Sequence, residues 1–169
     1  MTAREPMAED PIGLARDNWV AHGWEDAADG MHLVTSIMRV QQAYLGRIEA
    51  ILRPSGLTFA RFEVLRLLAF SRLGSLPVGK VGERLQVHPA SVTNAVQRLE
   101  TDGLVVRRTN PTDGRGVLAE ITPSGRRLVE KCTRQLNTQV FTTIPISRAD
   151  QRRTSAALTD IRQSFGDFR

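Results

Sequence analysis

The sequence predicts a mainly α-helical fold with a small β-hairpin (α+β), and three observations lead to it. Apolar residues recur at three- and four-residue steps through most of the 169-residue chain. Two short β-branched runs, 104–108 and 117–121, flank Pro111-Thr112-Asp113-Gly114-Arg115 and read as the strands and tip of a hairpin. Just before the hairpin, two helical patterns meet at a tight turn, Gln86-Val87-His88. Helix, turn, helix and hairpin in that order make a winged helix-turn-helix head, here set on a body of longer helices.

Each element follows from local signals. Asp10-Pro11 supplies an N-cap and a proline at the first helical position, and Gly23 a stop. Between them Ile12, Leu14, Ala15, Trp19 and Val20 form one apolar face, and a short turn around Trp24 leads to Asp29. A long helix is predicted over 30–53, with Leu33, Val34, Ile37, Val40, Tyr44, Leu45, Ile48 and Leu52 in helical register, ended by Pro54-Ser55-Gly56. Thr58 caps a helix over 59–71 with Phe62, Leu65, Leu68 and Ala69 inward, and Leu76-Pro77 suits a brief edge strand. The helix over 78–85 turns Val81 and Leu85 inward. The next opens at Pro89, buries Val92, Ala95, Val96 and Leu99, and closes at Gly103. Thr122-Pro123 restarts a helix whose Leu128, Val129, Cys132, Leu136, Val140 and Phe141 are spaced for burial up to 144. Pro145 interrupts, and Ser147 caps a last helix carrying Ala156, Ala157, Leu158, Ile161 and Phe165.

Composition narrows the function classes. An apolar content of 41% excludes general disorder, and no apolar run reaches the roughly 20 residues that span a bilayer. The first residues lack a signal peptide's apolar core, and the single Cys132 admits no internal disulfide, so a cytoplasmic protein is expected. The net charge of +5 is unevenly placed. Residues 1–60 hold five Lys/Arg against eight Asp/Glu, whereas 61–127 hold eleven against six and 128–169 seven against four. A basic segment that coincides with the helix-turn-helix and hairpin is the electrostatic footprint of a nucleic-acid reader.

On the second helix of the pair, Ser91, Thr93, Asn94, Gln97 and Arg98 lie opposite the apolar stripe. Asn and Gln can bond adenine bidentately, Arg can read guanine or hold phosphate, and hydroxyls suit phosphates. His88 and Pro89 stand at the helix opening, where backbone N–H groups can approach a phosphate. Arg107 and Arg108 on the first wing strand are expected to add phosphate contacts, and a basic hairpin tip can reach the adjacent minor groove.

From Leu57 to Gly125 the chain resembles the MarR family of bacterial transcription regulators. The shared words are Leu57-Thr58, Phe62-Glu63-Val64-Leu65, Leu76-Pro77-Val78, Glu83-Arg84-Leu85-Gln86-Val87 and Ser91-Val92-Thr93-Asn94. They continue with Arg98-Leu99-Glu100, Gly103-Leu104-Val105, Pro111-Thr112-Asp113-Gly114-Arg115 and Ile121-Thr122-Pro123-Ser124-Gly125. The resemblance implies an obligate homodimer on a pseudo-palindromic double-stranded operator, with an added N-terminal helix beyond the minimal plan. It divides the chain into a tail and added helix (1–28), a dimerisation helix (29–56), the DNA-binding head (57–125) and C-terminal dimerisation helices (126–169). It also implies that Asp113 orients Arg115 into the minor groove, whose narrow A·T-rich form concentrates negative potential.

Such proteins commonly act as repressors released by a small organic ligand, aromatic, anionic or acyl-CoA-like, held between body and head. Residues with flat apolar surfaces or positive charge that suit it are Trp19, Trp24, His32, Arg39, Tyr44, Phe59, Arg61 and Phe62. The bland alternative makes both Trp residues anchors of the added helix. Cys132 as a redox sensor is a further alternative, although its apolar stripe favours a buried thiol. A winged helix serving protein contacts is another. No cofactor, metal site or catalytic constellation is expected: His22, His32 and His88 are far apart, and there is no Gly-rich phosphate loop.

Overall fold

The computed structural model describes residues 7–110 and 113–168, with the backbone alone for 113–115. The chain falls into two compact units, residues 1–47 and 48–169.

The first unit holds α1 (Pro11–Ala21) and most of α2 (Glu25–Leu52). The Asp10 carboxylate accepts the Ile12 N–H at 3.0 Å, Pro11 opens the helix, and Gly23 takes φ 78° beyond its end. Helix α2 starts five residues before the predicted position 30, so the expected turn up to Asp29 is helical instead. Glu25 and Asp26 in its first turn complement the positive end of the helix dipole, and Ala27-Ala28 are strong helix formers. Gly30 is carried inside the helix at a cost of about 1 kcal/mol. Arg16 Nε lies 2.7 Å from Asp29 Oδ1, and Trp19 meets Trp24 edge to face with centroids 5.5 Å apart. Leu14 and Val20, expected on the packed face of α1, are exposed, and α1 buries none of its residues.

The second unit begins with the end of α2, where Ile48 and Leu52 are buried. It continues through α3 (Phe59–Phe70), β1 (Ser75–Pro77), α4 (Val78–Leu85), α5 (Pro89–Thr101), β2 (Val105–Asn110), β3 (Asp113–Ile121), α6 (Pro123–Leu136) and α7 (Arg148–Ser164). The sheet is antiparallel in the order β1-β3-β2, with Leu76 opposite Ala119 and Val105 opposite Ile121. The brief strand at Leu76-Pro77 therefore exists and sits on an edge, as a proline requires. Its core is built by Leu65, Leu68, Val81, Val92, Val96, Leu99, Val105, Val129, Cys132 and Leu136. Val64 is buried as well, beyond the four positions expected of α3, whereas Ala69 and Leu85 are only half-buried.

Gly125 explains how α6 meets the sheet. A Cβ there would stand 2.2 Å from the Leu104 carbonyl oxygen. That oxygen already accepts the Thr122 N–H at 3.0 Å. Thr122 locks the same corner: its hydroxyl accepts the Gly125 N–H at 3.0 Å and donates to the Gly103 carbonyl at 2.9 Å. Thr122→Ala is expected to lower stability by about 1–2 kcal/mol, read from the denaturant midpoint at unchanged slope.

Arg66 ties α3 to α6, with Nη2 2.8 Å from Glu130 Oε1, Nη1 3.2 Å from Thr133 Oγ1, and its guanidinium 4.2 Å from the Phe70 ring centroid. The hydrogen bond and charge of Arg66 hold the Glu130 carboxyl below its ordinary range. The link therefore contributes at neutral pH and is lost as pH falls through that lowered value.

After α6 the backbone widens into a π-helical turn, Asn137–Phe141. The Thr142 N–H bonds the Asn137 carbonyl at 3.0 Å, and the Thr142 hydroxyl bonds it again at 2.8 Å. This extra residue in the turn rotates Phe141 outward, so it is 48% exposed rather than buried as its spacing predicted. Helix α7 buries none of its 17 residues, leaving Leu158 exposed with Ala156 and Ala157. Cys132 is fully enclosed, which denies a peroxide access to its sulfur. Among the described residues no helix is long and apolar enough to cross a membrane, and no group of three metal-ligating side chains occurs.

Candidate nucleic-acid interface

Helix α5 is set by its opening and by its buried stripe. His88 is the N-cap: its ring Nδ1 accepts the Ala90 N–H at 3.2 Å, which places the ring proton on Nε2. The His88 carbonyl takes the N–H groups of Ser91 and Val92 at 2.9 and 3.3 Å. Pro89 has none to offer. The backbone donors expected to greet a phosphate at this opening are thus already bonded within the chain, so His88 and Pro89 shape the helix start. Val92, Val96 and Leu99 are buried to within 1% of full enclosure. Gly82 lets α4 approach closely, since a Cβ there would lie 3.3 Å from Val92 Cγ2. Gln86 turns the corner in the left-handed conformation, φ 53°.

The opposite face is open. Ser91, Thr93, Asn94, Gln97 and Arg98 are all exposed. Thr93 donates its hydroxyl to the Pro89 carbonyl at 3.0 Å, which fixes its rotamer and leaves its oxygen lone pairs available. The row spans two turns of helix with amide, hydroxyl and guanidinium groups, a chemistry matched to base edges and phosphates.

Arg61 joins this face rather than an apolar pocket. Its guanidinium lies 3.1 Å from Asp102 Oδ2 and 3.4 Å from the Thr58 hydroxyl. Together with Thr58, Ser91, Asn94 and Arg98 it lines an open groove of about 500 Å³ between α3 and α5. Sequence reasoning placed Arg61 with the ligand candidates for its positive charge at the start of α3, and its contact with Asp102, 41 positions away, left no local signal.

In the wing, Arg107 and Arg108 stand opposite Ala119 and Leu118. Arg107 Nε is 2.6 Å from Glu100 Oε2, and Arg108 Nε is 2.7 Å from Glu120 Oε2. Glu100 thereby couples the reading helix to the wing, a role that no local pattern announced. These exposed pairs add little stability, but they orient both guanidinium groups. Beside them Val78, Thr93, Val96, Arg107 and Val117 line an open cleft of about 190 Å³. The backbone of Asp113 and Arg115 belongs to β3, with Asp113 opposite Asn110. The side chains of both lie outside the described residues.

The remaining ligand candidates divide between the units. In residues 1–47, Trp19, His32 and Tyr44 are half-buried, whereas Trp24 and Arg39 are exposed. His22 and Trp24 add a ring contact to the Trp19–Trp24 pair, which fastens the end of α1 to the start of α2. Arg39 borders a concavity formed with residues 7–12. In the second unit Phe59 stacks on Phe62 at 6.3 Å, and Phe62 is a core residue with 6% exposure, closed to a ligand unless the core opens.

The arrangement matches known proteins. The MarR family model covers residues 55–116. Sco5413, a MarR family transcriptional regulator from Streptomyces coelicolor, is 48% identical, with a TM-score of 0.76 over 83% of this chain and 97% of that one. The chain belongs to the MarR family. HTH-type transcriptional regulator MhqR of Bacillus subtilis is 36% identical over 70 residues, 41% of this chain and 47% of MhqR. The chain spans about half the length of the curated relatives it matches. A cysteine-to-serine mutant of MarR from E. coli, complexed with operator DNA, shares the fold at a TM-score of 0.73 and 23% identity, covering 80% of this chain and 96% of that one. These MarR-family relatives and fold neighbours are transcription regulators, and none of them is an enzyme.

Proposed function

We infer that this MarR-family chain is a homodimeric, sequence-specific DNA-binding regulator of the cytoplasm, a repressor whose operator affinity a small organic ligand lowers. The observation that carries the reading is the polar row on α5. Ser91, Thr93, Asn94, Gln97 and Arg98 face outward beside the β2–β3 hairpin, opposite a stripe that is wholly buried. MarR from E. coli has been seen on operator DNA with this fold, which supports a duplex as the partner here. In this reading Asn94 and Gln97 address bases, while Arg61, Arg98, Arg107 and Arg108 hold phosphates.

The dimer has a physical motive in each unit. Leu33, Val34, Met38, Val40 and Leu45 are exposed along α2, and α7 has no buried residue. Apolar helical faces of that extent call for a second copy, whose two-fold axis would pair the heads on a symmetric site. Residues 29–56 and 126–169 then serve as the dimer body and 57–125 as the head. A ligand acts on this machine by preferring one spacing of the heads.

Selection of bound sequences from random duplex DNA tests the reading. The expected product is an inverted repeat whose half-site centres lie about one helical turn apart. Recovery of no common sequence would favour a winged helix used for protein contacts. Arg115→Ala is expected to weaken operator binding by about 1–3 kcal/mol while leaving the dimer folded, measured by titration at fixed salt.

A further inference from the structure

We propose that three carboxylates beside the reading face, Glu100, Asp102 and Glu120, are specificity-determining residues through which the head discriminates against duplex whose phosphates are out of place. The inference rests on the DNA-binding reading above and deepens it. A face meant for a polyanion gains affinity from its cations and loses it to any acid among them. Three of the four arginines assigned to phosphates nevertheless carry an acid of their own. Arg61 Nη1 lies 3.1 Å from Asp102 Oδ2, Arg107 Nε 2.6 Å from Glu100 Oε2, and Arg108 Nε 2.7 Å from Glu120 Oε2. Four arginines and three acids leave one net positive charge on this face. Stability does not account for the acids. Their side chains are 34%, 47% and 41% exposed in chain order, and pairs so exposed contribute little to folding.

The way each acid holds its arginine gives the discrimination. Glu100 takes Arg107 at two points, accepting its backbone N–H at 3.3 Å through Oε1 and its Nε–H through Oε2. Glu120 accepts the Nε–H of Arg108 in the same way. Among the described residues no hydrogen bond reaches the Nη nitrogens of Arg107 or Arg108. Arg61 is held on two sides, by Asp102 at Nη1 and by the Thr58 hydroxyl at Nε, so that Nη2 is its outer donor. Each guanidinium is thus clamped on one side and offers its remaining donors at a fixed place. A phosphate that stands at that place accepts a charge-assisted bond with the ion pair intact. A phosphate displaced from it is reached only by swinging the arginine off its carboxylate, whose bare charge then repels the DNA. Base contacts by Asn94 and Gln97 hold the head in register on the operator, where the first case applies. Random duplex offers no such register, so there the acids work against binding.

The test compares the full-length protein with the triple variant Glu100→Gln, Asp102→Asn, Glu120→Gln, whose amides keep the size and acceptor oxygens of the acids and remove only their charge. Affinities for the selected inverted repeat and for a random duplex of equal length are measured across a salt series. Random duplex should bind at least about tenfold more tightly to the variant, with a salt slope steeper by about 2. The inverted repeat should gain less than about threefold, so the ratio between the two falls. A control triple, Glu9→Gln, Asp17→Asn, Glu25→Gln, makes the same change of net charge in the first unit and should leave the ratio as in wild type. Equal gains on both duplexes overturn the proposal, as does the same fall in ratio from the control. Weaker binding to the repeat with random duplex unchanged also overturns it, because the acids would then only orient the arginines. Should the triple variant not fold by circular dichroism, Glu100→Gln alone is expected to raise random-duplex affinity about threefold, and no gain there overturns the proposal. Wild-type protein that binds neither duplex overturns the DNA-binding reading and this inference with it. Wild-type discrimination matched by the variant overturns the inference alone.

Discussion

Gly125→Ala is expected to destabilise the head by on the order of 4 kcal/mol, a large part of the ~5–15 kcal/mol that holds a domain folded. The new methyl would overlap the Leu104 carbonyl oxygen at 2.2 Å and press on Ile121 Cγ1 at 3.0 Å. Leu104 cannot retreat, because its carbonyl holds the Thr122 N–H and its own N–H bonds the Leu99 carbonyl at 2.9 Å. Relief requires α6 to lift from the sheet, which exposes Val129 and Cys132. Gly103→Ala is the matched control. Gly103 has φ 68° but nothing within 4 Å of an added Cβ, so only the strain of the left-handed backbone is expected, about 1–2 kcal/mol. Denaturant midpoints of the two variants compare them directly. Equal losses would mean that the α6–sheet contact is not as close as described.

The second large effect concerns DNA. Arg61→Ala combined with Arg98→Ala is expected to weaken duplex binding about a hundredfold or more, as two contacts of about 1–3 kcal/mol each. Both line the groove beside the reading row, and Arg98 is not engaged in an ion pair among the described residues. Phosphate contacts act on any sequence, so random duplex should suffer with the operator, and the salt slope should fall by about 2. Affinity measured across a salt series separates this from loss of base readout, which would leave the slope unchanged. A double variant with wild-type affinity and slope would remove Arg61 and Arg98 from the interface.

How much of this was legible depends on the range of the interactions involved. The α5 stripe of Val92, Val96 and Leu99, the caps at Asp10, Thr58, Thr122 and Ser147, and the edge strand at Leu76-Pro77 all follow from spacing within a few residues. Each stands as the sequence predicted. The early start of α2 was missed because the apolar period begins only at Leu33, whereas Glu25, Asp26 and the two alanines extend the helix backwards without adding to that stripe. Phe141 was misplaced because a π-helical turn breaks the 3.6-residue period on which the burial pattern rests. Long-range pairings were invisible: Arg61 with Asp102 and Arg66 with Glu130 depend on how helices cross. Within the candidate interface, the outward row on α5 was readable, whereas the commitment of the opening N–H groups to His88 was not.

The central claim is that α5 and the hairpin of two paired chains grip a duplex, and a salt-dependent titration tests it most directly. Fluorescence anisotropy of a labelled, selected inverted repeat should report two chains per duplex. Its log affinity should fall steeply and linearly as log salt rises. A purified chain that stays monomeric and leaves every duplex unbound at low ionic strength would contradict the claim.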